Sequence, residues 1–214
     1  FPPGTIIASN AFLVIAASPG SLRNVYGITN ALGPYTGSLK KSDTIQLLDE
    51  VGAVLLSVPY SNVYPWPVAA DGTGHSLVLG YPSYGEADPR AWDISDVVGG
   101  SPGQNEGYVS SLLRNVVINE FLAHTDPPDF DYIELYNHST QSVDVSGCIL
   151  TDDPATNKFI LPSGTIIPAR GFVYYTETNL NFALSAAGEA LYFKNPTHTR
   201  ALDAVQFEAQ ENGV

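Results

Sequence analysis

Six residues, Asp126-Pro127-Pro128-Asp129-Phe130-Asp131, bring three carboxylates into one loop. Carboxylates crowded into a loop suit Ca2+, which takes about six to eight oxygens from carboxylates, carbonyls and water. Here the spacing follows no EF-hand pattern, and two prolines stiffen the backbone. The alternative is a solvated turn, with Asp131 capping a strand or accepting from nearby amides. A second carboxylate pair, Glu120 and Glu134, is of the kind that cleaves glycosidic bonds. Glu134, however, stands in Tyr132-Ile133-Glu134-Leu135-Tyr136, where strand alternation sends Ile133 and Leu135 to one face. Tyr132, Glu134 and Tyr136 share the other face, which makes Glu134 a surface or cross-strand residue. These three are the candidate binding residues, an aromatic surface on which a sugar can stack, extended by Tyr174 or Tyr175. The competing role for such tyrosines is packing across the sheet.

Other chemistry is sparse. The histidines, His75, His124, His138 and His198, fall in separate segments with no helical HxxxH spacing, and read as surface or partly buried side chains. No GxSxG elbow is present. Cys148 is the only cysteine, so an intramolecular disulfide framework and a cysteine zinc site are both excluded. It lies in an apolar strand with no neighbouring cation in sequence, which predicts a buried, inert thiol. Asp71-Gly72-Thr73-Gly74 reads as a hairpin turn, because no strand-to-helix context or Lys makes it a phosphate cradle. Asp152-Asp153 before Pro154 reads as turn initiation.

The elements that must position these residues are short strands. Val116–Leu122, Tyr132–Tyr136 and Val143–Leu150 are apolar runs separated by clusters of Asp, Pro, Ser, Thr and Asn. Such punctuation predicts consecutive strands of an antiparallel sandwich. The turn Leu161–Pro168 and the apolar strand Phe172–Tyr175 continue it. With 19 Gly, 16 Pro and 14% charged residues, the composition also favours strands and tight turns. A formal charge of −13 disfavours nucleic acid, whose binding needs Lys and Arg against phosphates, and anionic lipid surfaces likewise. No run reaches the ~18–20 apolar residues of a membrane-spanning helix, so no membrane insertion is expected.

The chain repeats itself. Phe1-Pro2-Pro3-Gly4-Thr5-Ile6-Ile7 aligns without a gap on Leu161-Pro162-Ser163-Gly164-Thr165-Ile166-Ile167. Thr44–Leu48 follows as Glu189–Phe193 does, then Val54–Tyr60 as Ala201–Phe207. Between them the first copy inserts Ser18–Gly27. Ser18 as N-cap, Pro19 at the first helical position and Gly27 as a left-handed stop predict a helix near residues 19–26. Its Leu22, Val25 and Tyr26 should lid one end of a sheet. The expected organisation is a sandwich at 1–103 lacking its opening strands, a linker at 104–112, and a sandwich at 113–214 lacking its closing hairpin. Phe1 falls inside a strand–turn unit, so the chain reads as a piece of a longer protein. If the ends are native, Val116–Leu161 of one molecule would complete the first module of another, a head-to-tail self-assembly; otherwise they are fragment boundaries.

Val117-Ile118-Asn119-Glu120, Asp131–Asn137, Val143–Gly147 and Leu150–Asp153, followed by Leu161–Ile167 and Leu184–Glu189, resemble the opening and middle of a bacterial lamin-tail domain. Pro65-Trp66-Pro67, Ala70-Asp71-Gly72, Ser76–Leu79 and Gly99–Gly103 resemble the later part of the same domain. One departure is Cys148, where the family usually has Trp. The resemblance implies tandem immunoglobulin-like β-sandwiches, an all-β fold, in two partial copies. It implies a non-catalytic structural or interaction module of an exported or cell-envelope protein, with a protein or glycan partner at the cell surface. The alternative is a carbohydrate- or surface-targeting module of an extracellular hydrolase. No cofactor is expected, Ca2+ at Asp126, Asp129 and Asp131 being the one cation to consider.

Overall fold

The computed structural model describes residues 1–106 and 110–213; residues 107–109 of the expected linker lie outside them. Apart from two short helices and several 3-10 turns, the regular structure is β, arranged in several small sheets. No helix among the described residues is long and apolar enough to cross a membrane.

Helix α1 spans Pro19–Tyr26, and its ends obey the local chemistry. The Ser18 side chain accepts from the Ser21 amide, Pro19 opens the helix, and Gly27 (φ 72°) turns left-handed to bond the Arg23 carbonyl. The predicted lid is narrower than its sequence suggests. Leu22 and Tyr26, an i,i+4 pair, line a groove against residues 76–80 and 99–106, with the Tyr26 hydroxyl donating to the Gly99 carbonyl at 2.6 Å. Val25 lies off that stripe and is 72% exposed.

Strands β1 (Asp43–Leu48) and β2 (Val54–Tyr60) form an antiparallel hairpin. Asp49 shapes its turn, its Oδ1 accepting from the Val51 and Ala53 amides. Leu47 stands opposite Leu56 and Leu48 opposite Val54, so the register skips Leu55, a β-bulge. The hairpin carries no core of its own: among the hydrophobic residues of 1–62, only Ala16 and Val58 are buried.

After it, residues 64–103 form a closing segment. A 3-10 turn at Val68–Ala70 precedes β3 (Leu77–Leu79), which pairs antiparallel with β4 (Trp92–Ile94). Trp66 packs on Trp92 with ring centroids 5.8 Å apart.

The second half is a two-layer unit. Strand β5 (Val116–Leu122) pairs with β6 (Tyr132–Asn137), and β7 (Val143–Asp144) and β8 (Ile149–Thr151) follow. Next come β9 (Phe159–Ile160), β10 (Ile166–Ile167), β11 (Phe172–Thr176) and the one-turn helix α2 (Glu177–Leu180). Strands β12 (Gly188–Lys194) and β13 (Ala201–Glu208) end it. One layer runs β11-β6-β5, the other β13-β12-β8-β9, and β10 pairs with β7 in a two-stranded sheet of their own. Between them lie Val116, Ile133, Leu135, Leu150, Leu191 and Phe193, each 0% exposed. Burial at this depth stabilises by about 1.5–3 kcal/mol per large side chain. The alternation read from the sequence holds: Ile133 and Leu135 are buried, while Tyr132, Glu134 and Tyr136 are half-buried on the outer face. Asn137, fully buried, ties the end of β6 down by donating to the Gln141, Ile167 and Pro168 carbonyls.

The two halves share local geometry. Thr5 and Thr165 each bond the carbonyl three residues back, Pro2 and Pro162, through hydroxyls at 2.7 Å, with Gly4 and Gly164 both at φ 81°. Phe193 faces Asp203 and Lys194 faces Ala201, so β12–β13 skips Leu202 as β1–β2 skips Leu55.

Candidate functional site

The outer face of the β11-β6-β5 layer is where the structure collects the candidate binding residues. On β6 the pleat presents Tyr132, Glu134 and Tyr136 together. Pairing with β11 sets Phe172 opposite Tyr136, Tyr174 opposite Glu134 and Thr176 opposite Tyr132. Pairing with β5 sets Glu120 opposite Glu134 and Leu122 opposite Tyr132, after a bulge at Asn119. Tyr136 and Phe172 stack with centroids 4.6 Å apart and planes inclined by 19°, while Tyr132 meets Tyr174 edge-on at 6.4 Å. Tyr174 therefore belongs to this face, 63% exposed, and Tyr175 turns inward to pack on Phe159. Phe172, 53% exposed, is the member that sequence reasoning did not include. Only the β6–β11 register reveals it.

Polar groups edge the ladder. The Tyr132 hydroxyl donates to Glu120 Oε1 at 2.5 Å, and Asn119 Nδ2 donates to Glu134 Oε1 at 2.8 Å. The bond to Glu120, helped by burial and by both glutamates' charge, pushes the Tyr132 phenol up to about 12. The face is thus a row of fixed aromatic rings beside two carboxylates, open to solvent. Such a surface offers van der Waals area and ring faces to a partner. Glu120 and Glu134 lie at the surface of an open sheet, each holding a neighbour, and nothing about them forms an enclosed acid–base site.

Asp131 is buried and its Oδ1 accepts from the Thr125 amide at 3.1 Å and hydroxyl at 2.9 Å. Asp126 and Asp129 are exposed, and Asp126 receives a bond from Asn212. Among the described residues no three His, Cys, Asp or Glu side chains converge as a metal site, so Asp126, Asp129 and Asp131 are not brought together. Cys148 is fully buried in the core, and desolvation pushes its thiol up to about 12.

His75 is buried more deeply than the surface or partly buried position expected of it. It is 5% exposed, held where the closing segment meets β13. Its Nε2 accepts from the Ala201 amide at 3.0 Å and its Nδ1 lies 2.8 Å from the Ser95 carbonyl, so the ring is the neutral Nδ1–H tautomer. Beside it Asp96 binds both Arg114 and Arg200. Ala69 and Ile94 pack on Ala201 in a small apolar cluster. No spacing in the sequence signals this junction, because His75 and Ala201 are 126 residues apart and Asp96 and Arg200 are 104 apart.

Residues 110–209 match the family model of the Lamin Tail Domain. This is the segment that holds the two-layer unit and the aromatic face, and the observed all-β, immunoglobulin-like class agrees with it. Domains of this class are generally non-catalytic interaction modules. No curated protein matches the chain.

Proposed function

We propose that the chain is a non-catalytic structural and interaction segment of an exported or cell-envelope bacterial multidomain protein. Its binding surface is the outer face of β5, β6 and β11, with Tyr132, Glu134, Tyr136, Phe172 and Tyr174 as contact residues. The observation that carries this reading is the ladder itself: Tyr174 at 63% and Phe172 at 53% exposure sit on a rigid sheet whose other side is a closed core. Exposed rings on a fixed scaffold lose little entropy when a partner covers them. The net charge of −13 favours a neutral or basic protein partner over phosphate-bearing polymers.

The same reading takes residues 1–103 as a second, partial module of the lamin-tail type, joined through 104–112 to the one at 113–214. Its support is geometric. The Pro-x-Gly-Thr turns at 2–5 and 162–165 bond alike, and both hairpins bulge at the corresponding place.

Labelled chain applied to cells of the source organism should bind a protease-sensitive surface partner, and Tyr132→Ala/Tyr174→Ala should weaken binding about tenfold, the loss of about 1.4 kcal/mol. A glycan array decides the alternative. Hits abolished by the same double variant would make the segment the targeting module of an extracellular hydrolase. Undiminished cell binding by the variant would remove the aromatic face from either role.

A further inference from the structure

The hairpin β1–β2, which meets the closing segment along a groove at Ile45 and Val58, is the less covered equivalent of a hairpin buried elsewhere in the same chain; this rests on the two-module reading above. Matching the bulges aligns Ile45 with Leu191, Leu47 with Phe193 and Val54 with Ala201. This shifts the first strand by one residue from the correspondence of Thr44–Leu48 with Glu189–Phe193, and leaves the turn at 49–53 one residue shorter than that at 195–200. Leu191 and Phe193 are 0% exposed, yet Ile45 and Leu47 are 45% and 36% exposed. Ile167, paired with Val143, is 0% exposed, yet its counterpart Ile7 is 57% exposed. Along the outer edge of β12, Tyr192–Lys194 pair with Thr151–Ile149 of β8. Among the described residues β1 pairs only with β2, so its other edge keeps unpaired backbone groups. An open edge next to an apolar face is a strand-addition site.

We infer that β1–β2, with the turn Phe1–Ile7, is an acceptor for a further opening half of the module type seen at residues 110–160. The second unit supplies the template for how it docks. A strand like β8 would run antiparallel along β1, with an apolar residue in the place Leu150 takes opposite Phe193, here opposite Leu47. A strand like β7 would pair with Ile6 and Ile7, and a β5–β6 layer would close over Leu47, because Ile45 and Val58 already line a groove with Leu77 and Trp92 of the closing segment. The opening half of another copy of this chain does not serve. Residues 110–160 already cover β12, and lending them to a second molecule bares Leu191 and Phe193 as it hides Leu47. Exchange between copies therefore moves the open face from one hairpin to another without removing it.

The test joins a duplicate of residues 110–160 ahead of Phe1 through a flexible linker and follows amide exchange in the full chain. Exchange across 43–48 should slow by at least about tenfold relative to the unmodified chain, and Leu47→Asp in the fused chain should restore it. Unchanged exchange at 43–48 overturns the acceptor. Exchange at 43–48 in the unmodified chain that slows as protein concentration rises also overturns it, since a second copy then covers the face. NMR contacts across β1–β2 in the unmodified chain separate this from failure of the two-module reading. If Leu47–Leu56 and Leu48–Val54 contacts are absent, the shared bulge and the two-module reading fall. If they are present and the fusion gives no protection, the acceptor alone falls.

Discussion

Two side chains show how burial and a single partner set residue chemistry in this fold. Tyr132 is titratable on an open face, and its phenol is pushed up to about 12 chiefly because it donates to Glu120. Glu120→Ala removes the acceptor and the charge together. The Tyr132 phenol should then fall back toward its ordinary value of 10.0, read by NMR titration of the ring carbon bearing the hydroxyl. No change would mean that the bond at 2.5 Å is not made in solution. Cys148 is the opposite case. Fully buried, its thiol is pushed up to about 12 by desolvation, with Asp144 adding to the effect. A thiolate is the reactive form, so a disulfide reagent at about pH 8 should modify Cys148 only as fast as the sandwich opens. Its rate should rise in step with urea unfolding followed by circular dichroism. Rapid modification under native conditions would show the layers to be loosely closed. The sequence foretold this residue well, because one apolar strand with no neighbouring cation leaves little else for a cysteine to be.

Hairpins β1–β2 and β12–β13 have similar strands, the same bulge and opposite surroundings, so equivalent truncations should differ in cost. Phe193→Ala empties a fully buried site and should destabilise by about 3–5 kcal/mol. Leu47→Ala, at the matching position but 36% exposed, should cost under about 1 kcal/mol. Urea midpoints of the two variants give the comparison directly. Equal losses would mean that β1–β2 is already covered in solution. At this scale much was legible. Period-two alternation located β6 and the inward side of Ile133 and Leu135, and Ser18, Pro19 and Gly27 bounded α1. Half of the candidate site was legible for the same reason, since Tyr132, Glu134 and Tyr136 share one strand. Inter-strand register alone chooses Tyr174 over Tyr175, sets Glu120 opposite Glu134 and adds Phe172, and a strand's own sequence does not contain its neighbour's register. The run Val143–Leu150, expected as one strand, is split into β7 and β8 by a turn in which the Cys148 amide bonds the Val145 carbonyl, and two-residue β10, too short to show a period, lies in what reads as a turn.

The whole molecule depends on a junction that pattern reading had no means of finding. Residues 64–103 are fastened to β13 by the neutral ring of His75, which accepts from the Ala201 amide and sits beside the Asp96–Arg114–Arg200 group. Burial is the main reason its pKa lies below the ordinary 6.5; the Arg200 charge acts the same way, opposed by the Ser95 carbonyl, Asp96 and Glu106. The docked state therefore holds fewer protons than the released one at pH values between the lowered pKa and 6.5. Docking should be fully stable above 6.5 and weaken as pH falls through that value, by up to about 1.4 kcal/mol per pH unit until the lowered pKa is reached. Once His75 is protonated, Nε2 is a donor facing the donor amide of Ala201, and the bond at 3.0 Å is lost. Both of the chain's tryptophans, Trp66 and Trp92, lie in the closing segment, so their emission reports its release separately from the sandwich. On acidification from about pH 7 to about pH 5, tryptophan emission should move to longer wavelength while the far-ultraviolet β signal stays. His75→Gln cannot take up the proton, and should give a flat emission profile over that range from a weaker docked state. An identical acid transition in His75→Gln would place the switch on another group and leave His75 a purely structural buried side chain.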